Sequence, residues 1–214
     1  MEPINNKIIP KPIKNLILAF SCLPGIGPKT AQRLTYFVTQ KSSEEIETLS
    51  QALISVKNHI ILCEVCFYIM ETNPEKKSRI CLICEGDRNQ NQICIVENPL
   101  DVIVIENSRI YDGLYHILHG AISPMNGLGP NNLKIDSLIK RINNNIEEII
   151  FATNPTLEGE ATAMYIQELI SELKTKPTIT MLARGLPTGA DLEYSDFSTL
   201  SNAFENRSSF NYSE

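Results

Sequence analysis

Cys63-Glu64-Val65-Cys66 and, fourteen residues on, Cys81-Leu82-Ile83-Cys84 decide how the rest of the chain is read. Two C-x2-C pairs at that interval have the spacing by which four thiolates surround one tetrahedral Zn²⁺. The segment between them, Asn73-Pro74-Glu75-Lys76-Lys77-Ser78, is polar, turn-prone and too short to form a core, so a metal would hold this module together. Four protein ligands leave no position for water or substrate, which makes the expected Zn²⁺ structural, one per chain. Two other readings stand beside it: a redox C-x-x-C, and cysteines buried as small hydrophobes. A redox motif needs only one pair inside a strand-then-helix unit, so two spaced pairs count against it. Cys22 and Cys94 stand alone in apolar surroundings and are expected in the core.

Composition bounds what surrounds this module. Hydrophobic residues make up 43% of 214 and charged residues 21%, ordinary globular values. No apolar run approaches the roughly 20 residues that cross a bilayer, and residues 1–12 lack the apolar stretch of a secretory signal. The expectation is a cytoplasmic chain without a membrane span, where six cysteines are not disulfide-paired. The net charge of −6 is unevenly spread. Residues 1–43 hold Lys7, Lys11, Lys14, Lys29, Arg33 and Lys41 against Glu2 alone, so the excess of acid lies in the remainder. One DNA-facing module joined to an acidic body that meets something else fits this split.

That module is legible in Leu23-Pro24-Gly25-Ile26-Gly27-Pro28-Lys29-Thr30-Ala31. Gly25 and Gly27 flank one apolar residue, as in a hairpin where positive φ or close backbone approach is wanted, and Pro28 suits the first helical position. Along the helix, Ala31, Leu34 and Val38 fall on one side and Lys29 and Arg33 on the other. A helix start bears about half a positive charge, and with two cations beside it the segment can hold phosphates without reading bases. Expected DNA contacts are therefore Gly25, Gly27, Lys29 and Arg33. A merely capped helix with two solvated basic residues is the plainer alternative.

From residue 92 onward, β-branched runs alternate with helical patterns, the texture of an α/β domain with a largely parallel sheet. Strands are expected at 93–96, within 108–118, at 148–153 and at 178–182, and helices from Pro99, at 133–142 and at 160–173, with a loop over 120–132. The run 101–106 is also rich in β-formers and leaves a strand open there. Glu97 and Glu158-Gly159-Glu160 lie just after strands, where α/β folds place functional groups and where paired carboxylates can bind Mg²⁺. Tyr111, Tyr115, Tyr165, His116 and His119 are read as packing or surface residues.

The body resembles a Toprim domain, whose catalytic members end the first strand in glutamate and follow a later strand with Asp-x-Asp-x-Asp. Here that second pattern is Asn154-Pro155-Thr156-Leu157-Glu158, with amide and hydroxyl at the first two positions. Such a site holds Mg²⁺ poorly. The hairpin resembles the helix-hairpin-helix of DNA-repair proteins. Hairpin, four cysteines and degenerate Toprim core, in this order, resemble the RecR family over nearly the whole chain. Residues 94–97, 115–120, 123–130, 156–162 and 183–194 add to the likeness. The resemblance implies four modules, over residues 1–55, 56–88, 89–176 and 177–214. It implies sequence-independent DNA binding, partnership with RecO and in many cases RecF, and help to RecA at gaps coated with single-strand-binding protein. It also implies homo-oligomeric rings, dimers or tetramers, associating through the region 184–194, and a partner-facing acidic surface around Glu97 and Glu158. No Gly-Lys-Ser/Thr string for nucleotide phosphates is present. The expected role is that of a non-catalytic clamp; the alternative is an active Mg²⁺-dependent Toprim enzyme acting on DNA.

Overall fold

Along residues 89–96 the side chains alternate between two apolar environments, as the period of a strand requires. Ile93 and Ile95 enter one buried cluster, and Cys94 and Val96 enter another. A strand buried on both faces belongs at the centre of a sheet covered on both sides, and the computed structural model of the chain places it there. Residues 8–73, 75 and 78–207 are described. Glu2, Lys7, Pro74, Lys76 and Lys77 lie outside them.

By contact the chain divides into residues 1–60 and 61–214. In the first unit α1 (Lys11–Ser21) and α2 (Pro28–Val38) are joined by a tight turn, and Ile17, Ala31 and Thr35 are buried between them. The Thr35 hydroxyl is satisfied by donating to the Ala31 carbonyl at 2.9 Å. α3 (Ser43–His59) begins in a reciprocal cap. Ser42 Oγ accepts from the Glu45 N–H at 3.2 Å, and Glu45 Oε2 accepts from the Ser42 N–H at 3.0 Å.

The second unit opens with β1 (Ile60–Leu62) and β2 (Ile69–Glu71), which form a two-stranded sheet, and the single-turn α4 (Leu82–Glu85). A four-stranded sheet comes next, built from β3 (Asn89–Val96), β4 (Gly113–Ile117), β5 (Glu148–Phe151) and β6 (Thr178–Met181) in the order β4-β3-β5-β6. Every pairing is parallel. The crossovers carry α5 (Pro99–Ser108), α6 (Ile135–Arg141) and α7 (Leu157–Ser171), and α8 (Phe197–Glu205) lies beyond β6. Ile93, Ile95, Ile149 and Phe151 meet Leu138 of α6 and Ile166 of α7, while Cys94, Val96, Tyr115 and Ile117 meet Val102 of α5. The sheet is thus a middle layer with helices on both faces, the mixed α/β class expected.

Element ends obey local chemistry. The β-rich run 101–106 is helical, because Pro99 occupies the first helical position and Asp101 Oδ2 accepts from the Asn98 N–H at 2.8 Å. Arg109, in the left-handed region at φ 56°, closes that helix and delays the next strand to Gly113. α7 starts three residues before the expected 160, since Thr156 Oγ1 accepts from the Gly159 N–H at 3.1 Å. Cys22 departs from expectation: it is exposed, in the turn after α1, whereas Cys94 is buried as expected.

Candidate metal centre and nucleic-acid interface

The four paired cysteines converge. Cys63 leaves β1, Cys66 sits in the turn to β2, Cys81 caps α4 and Cys84 lies within it. Their sulfurs all lie within 4.8 Å of one another, and Cys63, Cys66 and Cys81 are buried. None is disulfide-bonded; Cys66 Sγ and Cys81 Sγ stand 3.5 Å apart, far beyond a covalent S–S bond of about 2.05 Å. Backbone amides point at the sulfurs: Val65 and Cys81 N–H donate to Cys63 Sγ, and Tyr68 N–H to Cys66 Sγ, each at 3.4 Å. Such donors favour the thiolate form. Hydrogen bonds from Cys66, then Cys81 and Cys84, pull the Cys63 thiol far below its usual range. Cys84 is pushed far above it, first by Cys63 and then by Cys66 and Cys81. A tetrahedral ion with Zn–S bonds of about 2.3 Å needs sulfurs about 3.8 Å apart, which this cluster approaches, so the donors fit a metal ion.

The cluster is continuous with the α/β core. Ile117 N–H donates to the Cys66 carbonyl at 2.9 Å, and His119 Nε2 bonds the Phe67 carbonyl at 2.8 Å. The Phe67 ring meets His116 edge-on, with centroids 5.4 Å apart. His116 is buried against the Lys134 carbonyl, and burial pushes its pKa down to about 4, so the ring is neutral at pH 7. His116 and His119 are packing residues that tie the cysteine loop to β4 and to the turn at its end.

At the carboxyl ends of β3 and β5 the acidic residues are largely engaged within the fold. Glu97 is only 7% exposed. Its two oxygens accept from the Asn154 backbone N–H and from Asn154 Nδ2, each at 2.8 Å. Gly159 permits this approach, since a Cβ there would stand 2.1 Å from the Asn154 carbonyl oxygen and 2.8 Å from Glu97 Oε1. Glu160 pairs with the Arg184 guanidinium, from just beyond β6. Glu158 is exposed. Of the two acids expected to face a partner, Glu158 is presented outward and Glu97 is turned inward onto Asn154.

In the first unit, Gly25 adopts φ 77° and lets the Ile26 N–H reach back to the Leu23 carbonyl at 3.1 Å. Gly27 caps α2 with an extended φ of −77°, so only Gly25 of the two uses positive φ. Lys29 and Arg33 are exposed, and they line one shallow depression with Gln32, Tyr36, Phe37 and Gln40.

A Toprim domain model matches residues 91–183, the segment holding the parallel sheet. The RecR helix-hairpin-helix model matches residues 13–57, over α1 to α3. The RecR C-terminal model matches residues 185–208, which include α8. The chain belongs to the RecR family. The cysteine cluster falls between the first two matched segments. RecR domains support a recombination-mediator role in DNA repair, with DNA binding. Among the described residues no helix is long and apolar enough to cross a membrane.

Three residues of these sites escape a reading of single motifs. Arg184 meets Glu160 across 24 positions of chain, a pairing that no local spacing announces. Tyr36 and Phe37 did carry a signal: they lie three and four residues beyond Arg33, the interval of neighbours on one helical face.

Proposed function

We propose that this chain is a non-catalytic DNA clamp of recombinational repair, acting with RecO, and with RecF where present, to help load RecA at gaps coated with single-strand-binding protein. The observation that carries this is the exposed Lys29–Arg33 pair on α2 beside the Gly25 turn, in a helix-hairpin-helix matched by the RecR model. Gly25 and Gly27 bring the turn's backbone close to phosphate, and Lys29 and Arg33 supply charge, so binding ignores sequence and weakens with salt. The ion in the cysteine cage is Zn²⁺, held by Cys63, Cys66, Cys81 and Cys84, and it supplies folding energy to the loop rather than chemistry.

Two features favour adaptor over enzyme. Glu97 is engaged by the Asn154 amide, where a second carboxylate would be needed to hold Mg²⁺. Glu160 is engaged by Arg184. The acidic surface that meets a protein partner centres on exposed Glu158. Modules over residues 1–55, 56–88, 89–176 and 177–214 divide these tasks, and several copies arranged in a ring let weak phosphate contacts add through avidity. Charge reversal tests the DNA contacts. Lys29→Glu with Arg33→Glu lowers retention on immobilised DNA by about 100-fold and flattens the salt dependence by about two phosphate contacts. Retention equal to the unaltered chain would overturn the assignment.

A further inference from the structure

α2 is amphipathic in an unusual sense: its small side chains face inward and its rings face out. Ala31 and Thr35 are fully buried against α1, whereas Tyr36 is 46% and Phe37 56% exposed. Both rings share the outward depression with Lys29, Gln32, Arg33 and Gln40. Lys29 and Tyr36 are seven residues apart, about 10 Å along the axis, with Arg33 between them. Lys41 Nζ stands 5.0 Å from the Phe37 centroid and also pairs with Glu45, so Phe37 already has a cation on its ring. Tyr36 has no aromatic or cationic partner among the described residues.

Exposed aromatic surface among cations matches a ligand that offers flat π faces and phosphates together. Duplex DNA offers only its phosphates here, because its bases are stacked on one another. A single strand offers both, and base–aromatic stacking is tolerant of sequence. We infer that the outward face of α2 is a single-strand platform, with phosphates held by Lys29 and Arg33 and an unstacked base laid on Tyr36, flanked by Phe37. This rests on the proposed phosphate contacts and adds the form of DNA preferred. The single strand of a gap, not its duplex flank, is then what this unit grips.

The chain contains no tryptophan, so Tyr36→Trp creates a single indole reporter at the platform. The full-length protein is titrated with an oligothymidylate and with a mixed-sequence duplex of equal length at one low salt concentration. Expected are quenching of the indole by the single strand but not by the duplex, and affinity for the single strand kept in Tyr36→Trp. In Tyr36→Ala, single-strand affinity falls by about five- to 100-fold, while duplex affinity and the circular-dichroism spectrum are unchanged. Equal loss for both DNA forms, no loss for either, or a change of solution mass in Tyr36→Ala with single-strand affinity unchanged would each overturn the platform; the last would mark this face as a contact between protein copies. If Lys29→Glu with Arg33→Glu abolishes binding while Tyr36→Ala changes nothing, the phosphate contacts stand and the platform falls. If the unaltered chain binds neither DNA, both fall.

Discussion

Asn154 decides more chemistry than any other single residue of the body. A carboxylate in its place would face Glu97 at hydrogen-bonding distance, and two like charges so close ask for a cation. As an amide it gives Glu97 a donor instead, alongside its own backbone N–H. Arg184 performs the same service for Glu160 as a full positive charge. Neither acid is then left seeking a metal, and Glu158 alone is a weak ligand set for Mg²⁺, which calls for near-octahedral oxygen donors. Incubation with supercoiled circular DNA and Mg²⁺ should therefore leave strand integrity and linking number unchanged, read on an agarose gel. Nicking or relaxation that stays with the protein through purification would make the acidic body an active site despite Asn154.

At the scale of elements, the cysteine loop is the piece least able to stand alone. β1 and β2 have three residues each and α4 four, and such short elements lack a core of their own. Two supports hold them: the sulfur cage and the seam to β4 through Ile117, Phe67 and His119. Elemental analysis of the purified protein should find one Zn²⁺ per chain. Serine at Cys63, Cys66, Cys81 or Cys84 should abolish it, while Cys22→Ser and Cys94→Ala should retain it, since Cys22 is exposed in a turn and Cys94 is in the sheet. Removing the metal with a chelator should speed amide exchange over residues 60–85 and at Ile117, whose N–H is bonded to the Cys66 carbonyl. Metal retained by the Cys66→Ser protein would reject the four-thiolate cage.

At the scale of the whole molecule the question is how a chain of net charge −6 holds a polyanion. In the proposed reading, one module with Lys29 and Arg33 would make few phosphate contacts, each sensitive to salt. Several copies on one strand bind far more tightly, because each bound copy raises the local concentration of the next contact. Near the C-terminus of the second unit Phe197 is 89% and Tyr194 80% exposed, side chains that the proposed association of copies would cover. Sedimentation equilibrium should accordingly give a mass that is a multiple of 24.0 kDa at micromolar concentration. A strict monomer under those conditions would remove the ring, and with it the avidity argument, while leaving the local DNA contacts to stand or fall by charge reversal.

What the sequence determined by itself was whatever is written in local spacing. Two C-x2-C pairs announced the cage, Gly25 to Lys29 announced a turn and a capped cationic helix, and the unbroken apolar run at 93–96 announced a buried strand. Each signal lies within a few residues, where strand and helix periods and turn chemistry act directly. Tertiary structure alone decided which distant groups satisfy one another. Asn154 reaches Glu97 across 57 positions, Arg184 reaches Glu160 across 24, and His119 reaches the Phe67 carbonyl across 52. It also turned Glu97 inward and left Cys22 in solvent. A buried polar group must find a partner, and which partner it finds depends on how the parallel sheet aligns its strand ends, a property of the assembled layers rather than of any one segment.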